Sequence, residues 1–229
     1  MTDAAQPTVI LTRSWWWGFA LYGVVSLVHI SALAIDSDAL ATPTKLLLMP
    51  LLALAVLWAA RSGARGIRFS LLFTALALSL LGDGAATFFP FAPELPIMLA
   101  CFGLAHLLYI WLFWRHLAVR RVPAWAAVYA VWYVVLLAIL LPHLGALTVA
   151  VAIYGVVLGG TAVSATRAYP LVAVGAAFFL SSDTILALRL FLPDAMPPVT
   201  SPLVMVTYCV GQGLIAAGVI FSSTTRAER

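Results

Sequence analysis

The chain has 229 residues, 64% of them hydrophobic and 9% charged, with a formal net charge of +4. Soluble domains carry roughly 25% charged residues, so this composition excludes an ordinary globular core and a disordered chain, and predicts an all-α integral membrane protein with several spans. The positive balance does not call for nucleic acid, because the basic residues fall in short segments between apolar runs.

Taken in order, eight runs are long enough to cross the hydrocarbon core as helices: 16–35, 44–60, 69–89, 95–114, 124–141, 144–163, 171–192 and 202–221. Their separators are short and hold Pro, Gly or charge, such as Asp36-Ser37-Asp38, Pro93-Glu94 and Arg120-Arg121. The shortest link is Pro142-His143-Leu144-Gly145. No segment between runs is long enough to fold by itself, so residues 1–229 are expected to form one transmembrane bundle. Thr2-Asp3 opens the chain without a basic stretch, and the first run shows no small-residue cleavage site. That run reads as a retained helix and not as a cleaved leader.

Orientation follows from the basic residues. Arg13, Arg61, Arg65, Arg68, Arg115, Arg120, Arg121, Arg167, Arg226 and Arg229 fall on one side of the predicted topology, and only Lys45 and Arg189 on the other. The positive-inside rule then puts both termini in the cytoplasm. Asp36, Asp38, Glu94 and Asp194 collect on the opposite side. Trp15-Trp16-Trp17 would anchor the first helix at the cytoplasmic interface. The expected location is a bacterial inner (plasma) membrane. Residues 1–121 and 122–229 each contain four runs, so a duplication would give two parallel four-helix repeats.

Two carboxylates lie inside apolar runs, in Leu80-Leu81-Gly82-Asp83-Gly84 and in Leu180-Ser181-Ser182-Asp183-Thr184. Each costs about 2.5–3.5 kcal/mol at the bilayer centre on insertion scales. Corresponding runs of the two halves hold Gly103-Leu104-Ala105-His106 and Cys209-Val210-Gly211-Gln212. Counting along the helices places Asp83, Asp183, His106, Gln212, His29 and Lys45 at depths where all six can face one cavity near the outer leaflet. Each also has a plain structural reading. Asp83 can bond to Ser79 or Thr87, its neighbours four residues away. His106, beside Tyr109, and Gln212, beside Tyr208, can tie helices together. Tyr22, Ser26 and His29 can satisfy their neighbours, and Lys45 can snorkel to the interface. Gly155 to Gly159 read as a helix-packing face, and Cys101 and Cys209 as packing residues with no disulfide framework and no metal cluster. No phosphate loop, His-rich metal pattern or Gly-x-Ser-x-Gly elbow is present in the sequence.

Five segments together resemble the YhhN-type lysoplasmalogenase family of eight-helix membrane proteins. They are Lys45-Leu46-Leu47-Leu48-Met49-Pro50-Leu51-Leu52, Ser79-Leu80-Leu81-Gly82-Asp83, the run from Phe102 through Ala105-His106 and Tyr109 to Ile110, the run from Gly175 to Ser181-Ser182-Asp183, and Tyr208-Cys209-Val210-Gly211-Gln212. The chain departs from that pattern in lacking a Pro after Lys45 and in having Gly211, not Ala, before Gln212.

The resemblance implies hydrolysis of the vinyl ether of lysoplasmalogens to a fatty aldehyde and glycerophosphoethanolamine or glycerophosphocholine, without a cofactor. Asp83 and Asp183 would share the acid and base work, as paired carboxyls do in glycosidases. Lys45, His29, His106, Tyr109, Ser182, Tyr208 and Gln212 would bind substrate, with the phosphate near Lys45 and the chain between helices. The partners expected are a lysophospholipid substrate and membrane lipids. Two other readings stay open: a proton-coupled transporter or lipid carrier using the Asp pair, and an intramembrane aspartic protease, whose usual Tyr-Asp partner and Pro-Ala-Leu element are missing here.

Overall fold

A computed structural model describes residues 15–60 and 66–224, with side chains through 222. The expected N-terminal and loop residues Thr2, Asp3, Arg13, Arg61 and Arg65, and the C-terminal Arg226 and Arg229, lie outside the described residues. The described chain is all helix, with no strand among the described residues. Its α-helices are α1 (Ala20–Ala34), α2 (Asp38–Ala59), α3 (Ile67–Asp83), the short α4 (Ala85–Phe88), α5 (Glu94–Trp111), α6 (Val128–Leu140), α7 (Thr148–Ala165), α8 (Pro170–Phe191) and α9 (Thr200–Thr224). Helical turns extend several of them. With these extensions, seven of the described helices are long and apolar enough to cross a membrane.

The exception is the third expected run, 69–89. There α3 stops at Asp83 after 17 residues, and α4 follows a break at Gly84. A side chain at Gly84 would start within 2.4 Å of the Phe88 ring and 2.8 Å of Leu46. The break therefore packs too closely for any residue with a Cβ to fit without displacing these side chains. Asp83 is thus the last residue of its helix, whereas Asp183 lies within α8. The two carboxyls match in sequence context and differ in backbone context.

A second difference is at α2, which begins at Asp38, six residues before the expected start. Asp38 occupies the first turn, where a carboxylate meets the positive end of the helix, and Pro43 is accommodated inside the helix. Lys45 consequently sits two turns into α2 and not at its mouth. The short link between the fifth and sixth runs is a genuine turn. Gly145 has φ +51°, a left-handed conformation that favours glycine, and opens the second of two single-turn 3-10 segments.

Helix α9 is the central element and packs most closely on α8. A Cβ on Gly175 would lie 2.8 Å from the Gly211 carbonyl oxygen. One on Gly211 would lie 2.8 Å from the Phe179 backbone nitrogen. The two helices thus touch backbone to backbone, the close approach that small residues permit in membranes. Helix α6 lies at the margin and exposes Val128, Val131, Val134 and Val135. The basic ends gather on one side. The Arg167 guanidinium stacks over Trp114 at 4.1 Å, Arg120 Nε donates to the Thr166 carbonyl at 2.6 Å, and Arg68 shares a small cavity with His116, Tyr169 and Ser222. Trp16 and Trp17 are exposed and stacked on each other.

Because backbone meets backbone at this contact, Gly211→Val is expected to destabilise the bundle by about 1–3 kcal/mol or more, the usual cost of overpacking. A lower unfolding temperature of the detergent-solubilised protein would register it, and an unchanged one would refute the close contact.

Candidate active site

Each largely buried carboxyl has two polar neighbours from different helices. At the end of α3, Asp83 Oδ2 accepts a hydrogen bond from the Tyr208 hydroxyl of α9 at 2.7 Å, and Lys45 Nζ of α2 lies 3.8 Å from its Oδ1. Within α8, Asp183 Oδ2 accepts a hydrogen bond from the Tyr154 hydroxyl of α7, and His106 Nε2 of α5 lies 3.7 Å away. The carboxyl side chains are only 5% and 11% exposed. Asp83 also stands at the negative end of its helix, which disfavours a carboxylate. Lys45 and Tyr208 offset that. Asp83 therefore bonds neither Ser79 nor Thr87, the neighbours its structural reading offered.

The two arrangements correspond. Asp83 of α3 takes Lys45 from α2 and Tyr208 from α9. Asp183 of α8 takes Tyr154 from α7 and His106 from α5. Aromatic rings fill the space between them. Phe179 packs edge-on against His106 at 4.6 Å and against Tyr208 at 5.4 Å, and Phe102 against Tyr208 at 6.1 Å. His106 is fully buried, and neither ring nitrogen has a hydrogen-bond partner; 3.7 Å to Asp183 exceeds hydrogen-bond reach.

Behind this layer runs a second network. The Tyr109 hydroxyl donates to Gln212 Oε1 at 2.7 Å, and Gln212 Nε2 donates to Ser79 Oγ at 3.2 Å. These bonds join α5, α9 and α3, all through buried atoms. Ser182 Oγ donates to the Val204 carbonyl at 2.9 Å and ties α8 to α9. Tyr109, Gln212 and Ser182 are therefore engaged with protein partners. Tyr22 and Ser26 are likewise satisfied by carbonyls, Tyr22 by that of Cys209 and Ser26 by that of Tyr22.

The expected single cavity is three spaces. Two narrow apolar clefts, of about 40 and 50 Å³, meet at Asp183, Tyr154, Val151 and Ala187. One runs between α6, α7 and α8 along Trp132, Leu136 and Leu158, and the other along Leu95, Met98, Leu99 and Phe102 of α5. A third, roomier and more polar cavity of about 230 Å³ lies among α1, α2, α8 and α9. It is lined by His29, Lys45, Arg189 and Ser201. Leu186 borders both this cavity and the second cleft. Asp83, His106 and Gln212 line none of the three, because their side chains are turned into the helix contacts around them.

Tyr154, Phe179 and Phe102 were not legible as site residues. An aromatic in an apolar helix is indistinguishable by sequence from a core or lipid-facing one. The one signal was Gly155, which lets the Tyr133 ring come to 2.9 Å of where its Cβ would be, and it pointed to packing.

The fold and these clefts define a helical integral membrane protein with a pair of buried, partnered carboxyls. The chain belongs to the YhhN family, whose model matches residues 40–219 and so spans both carboxyls and all their partners. None of the curated proteins and none of the solved structures matches it.

The second network yields a double-mutant test. Gln212→Leu leaves the Tyr109 hydroxyl and Ser79 unpaired, at a cost of about 1–3 kcal/mol, whereas removing both partners can approach neutrality. Adding Tyr109→Phe is therefore expected to recover part of the loss in chemical denaturation; strictly additive losses would contradict the coupling.

Proposed function

We propose that this chain is a lysoplasmalogenase, an enzyme that hydrolyses the vinyl ether of one-chain plasmenyl phospholipids. The observation that carries the reading is the pair of buried carboxyls, one of which, Asp183, opens onto two apolar clefts. Membership of the YhhN family agrees with it.

The chemistry needs few groups. A proton is delivered to the vinyl carbon remote from the ether oxygen, leaving an oxocarbenium ion. Water adds to the carbon bonded to oxygen and gives up a proton. The resulting hemiacetal then collapses, expelling the glycerol hydroxyl and leaving a fatty aldehyde. A carboxylic acid and a carboxylate suffice for the proton transfers and for stabilising the cation. In this reading the alkenyl chain lies in the clefts, so Asp183 is the carboxyl that meets the vinyl ether. Tyr154 orients it. Asp83, held by Lys45 and Tyr208, supplies the second carboxyl from behind the aromatic layer. Phe102 and Phe179 keep bulk water from the cation, and His106, with Nε2 3.7 Å from Asp183, stands beside the reacting carboxyl.

In the membrane, we read α3 with α4 as an eighth crossing, so that both termini face the cytoplasm of a bacterial plasma membrane. The clustered Arg120, Arg167 and Arg68 support that orientation. The cross-paired partners of Asp83 and Asp183 support an origin by duplication of residues 1–121 and 122–229.

Purified protein in detergent, with no gradient, is expected to release aldehyde from lysoplasmalogen. Asp83→Asn and Asp183→Asn are each expected to lower turnover by about 10²-fold or more. Near-wild-type turnover by either variant would remove the two-carboxyl mechanism. Absence of aldehyde from the folded wild-type protein, with substrate movement only in sealed vesicles, would favour the transporter reading.

A further inference from the structure

Arg189 is the outstanding group that the reaction leaves unused. It stands in the last turn of α8, half-buried, on the wall of the polar cavity. One guanidinium nitrogen donates to Thr200 Oγ1 at 2.6 Å, and the group makes no ion pair among the described residues. A guanidinium carries five N–H donors in a planar fork, so most of its capacity is unspent. A partly buried cation without a counter-ion is costly, and its fork matches a phosphate in charge and shape.

Three further features of the cavity bear on what it takes. Lys45 lines the same wall and reaches Asp83, so the cavity lies one side chain away from the carboxyl pair. His29 lines it too, with Nδ1 3.0 Å from Thr44 Oγ1 and Nε2 without a partner. The Thr44 hydroxyl hydrogen is directed to the Leu40 or Ala41 carbonyl, which makes Nδ1 the donor and leaves Nε2 as an acceptor for a hydroxyl or ammonium hydrogen. Finally, Leu186 is the shared wall between this cavity and an apolar cleft. Two cations, one acceptor and an adjoining apolar cleft form a composite site for an anionic head joined to one hydrocarbon chain.

We propose that the cavity lined by Arg189, Lys45 and His29 binds the phosphate of a single-chain phospholipid, with Arg189 as its principal ligand and the chain passing Leu186 into the cleft beside Asp183. This deepens the hydrolase reading and rests on it for the choice of a one-chain lipid. Lys45 then joins recognition to chemistry, as the glycerol of such a lipid joins its phosphate to the ether at the first carbon. Recognition of the phosphate does not depend on the vinyl bond, so lipids that cannot be cleaved bind in the same place.

The probe is a 1-O-alkyl lysophosphatidylcholine, whose saturated ether cannot be cleaved by this chemistry. Its affinity for the full chain in uncharged detergent is measured by tryptophan fluorescence titration. The same titration is run with 1-O-alkylglycerol, which lacks the phosphate, with glycerophosphocholine, which lacks the chain, and with inorganic phosphate. The lysophospholipid is expected to bind about tenfold or more tighter than the alkylglycerol, a difference of about 1.4 kcal/mol. Arg189→Gln is expected to erase that ratio, and Arg189→Lys to keep most of it. If Arg189→Gln does not fold, Lys45→Gln and Arg189→Lys report on the same ratio.

Equal affinity for the two lipids would overturn the proposal, as would a ratio that survives intact in Arg189→Gln. Inorganic phosphate binding as tightly as the lipid would make this an anion site without a lipid and overturn it too. Phosphate-dependent binding without aldehyde release from lysoplasmalogen would uphold this site while removing the hydrolase reading. Aldehyde release with no dependence on Arg189 would do the reverse.

Discussion

Two carboxyls buried in an apolar bundle are the constraint on which the rest of this structure depends. An uncompensated charge at that depth is among the most costly things a helix can carry, and removing its partners is worse than never having buried it. The protein meets the constraint twice, with a tyrosine hydroxyl at each carboxyl, a lysine at one and a histidine at the other. Each Asp draws its neighbours from two other helices, Asp83 of α3 from α2 and α9, and Asp183 of α8 from α7 and α5. The contacts between these helices and the site are therefore the same set of contacts.

That dependence explains the packing around α9. Its backbone contact with α8 through Gly175 and Gly211 brings Tyr208 and Gln212 close enough to serve α3, so a larger residue at the contact would displace the hydroxyl from Asp83. Departure of the chain from the family pattern at Gly211 thus falls at a position where the structure has no space for a Cβ. The Tyr109–Gln212–Ser79 bonds brace the same three helices one layer further in. Buried hydrogen bonds of this kind are valuable because the unpaired alternative is expensive, and they fix one arrangement among several of similar apolar area.

Function then divides by polarity. Apolar clefts meet at Asp183, and cations gather in the cavity on the other side of Leu186. An amphiphile with one chain and an anionic head has the same division. Helix α8 lines all three spaces, with Asp183, Leu186, Ala187 and Arg189 following one another within two turns, so a single rigid element sets the spacing between reacting group and head.

What the sequence determined by itself was one-dimensional. Seven of the eight apolar runs are helices long and apolar enough to span, because a span of about twenty apolar residues is set by the thickness of the hydrocarbon core and needs no knowledge of neighbours. Asp83 and Asp183 stood out for the same reason: their cost is paid against lipid, whatever they touch. Local geometry was less legible. The early start of α2 was hidden because Asp38 can cap a helix as readily as it can mark a loop. The break at Gly84 depends on Phe88 and Leu46 packing across it. Only tertiary structure decided which partners the carboxyls take, that Tyr154 and Phe179 belong to the site, and that Lys45 and Arg189, 144 positions apart, share one cavity. Hydrogen bonds and ring contacts between helices depend on rotation about each helix axis, and uniformly apolar helices carry almost no sequence record of which face turns inward.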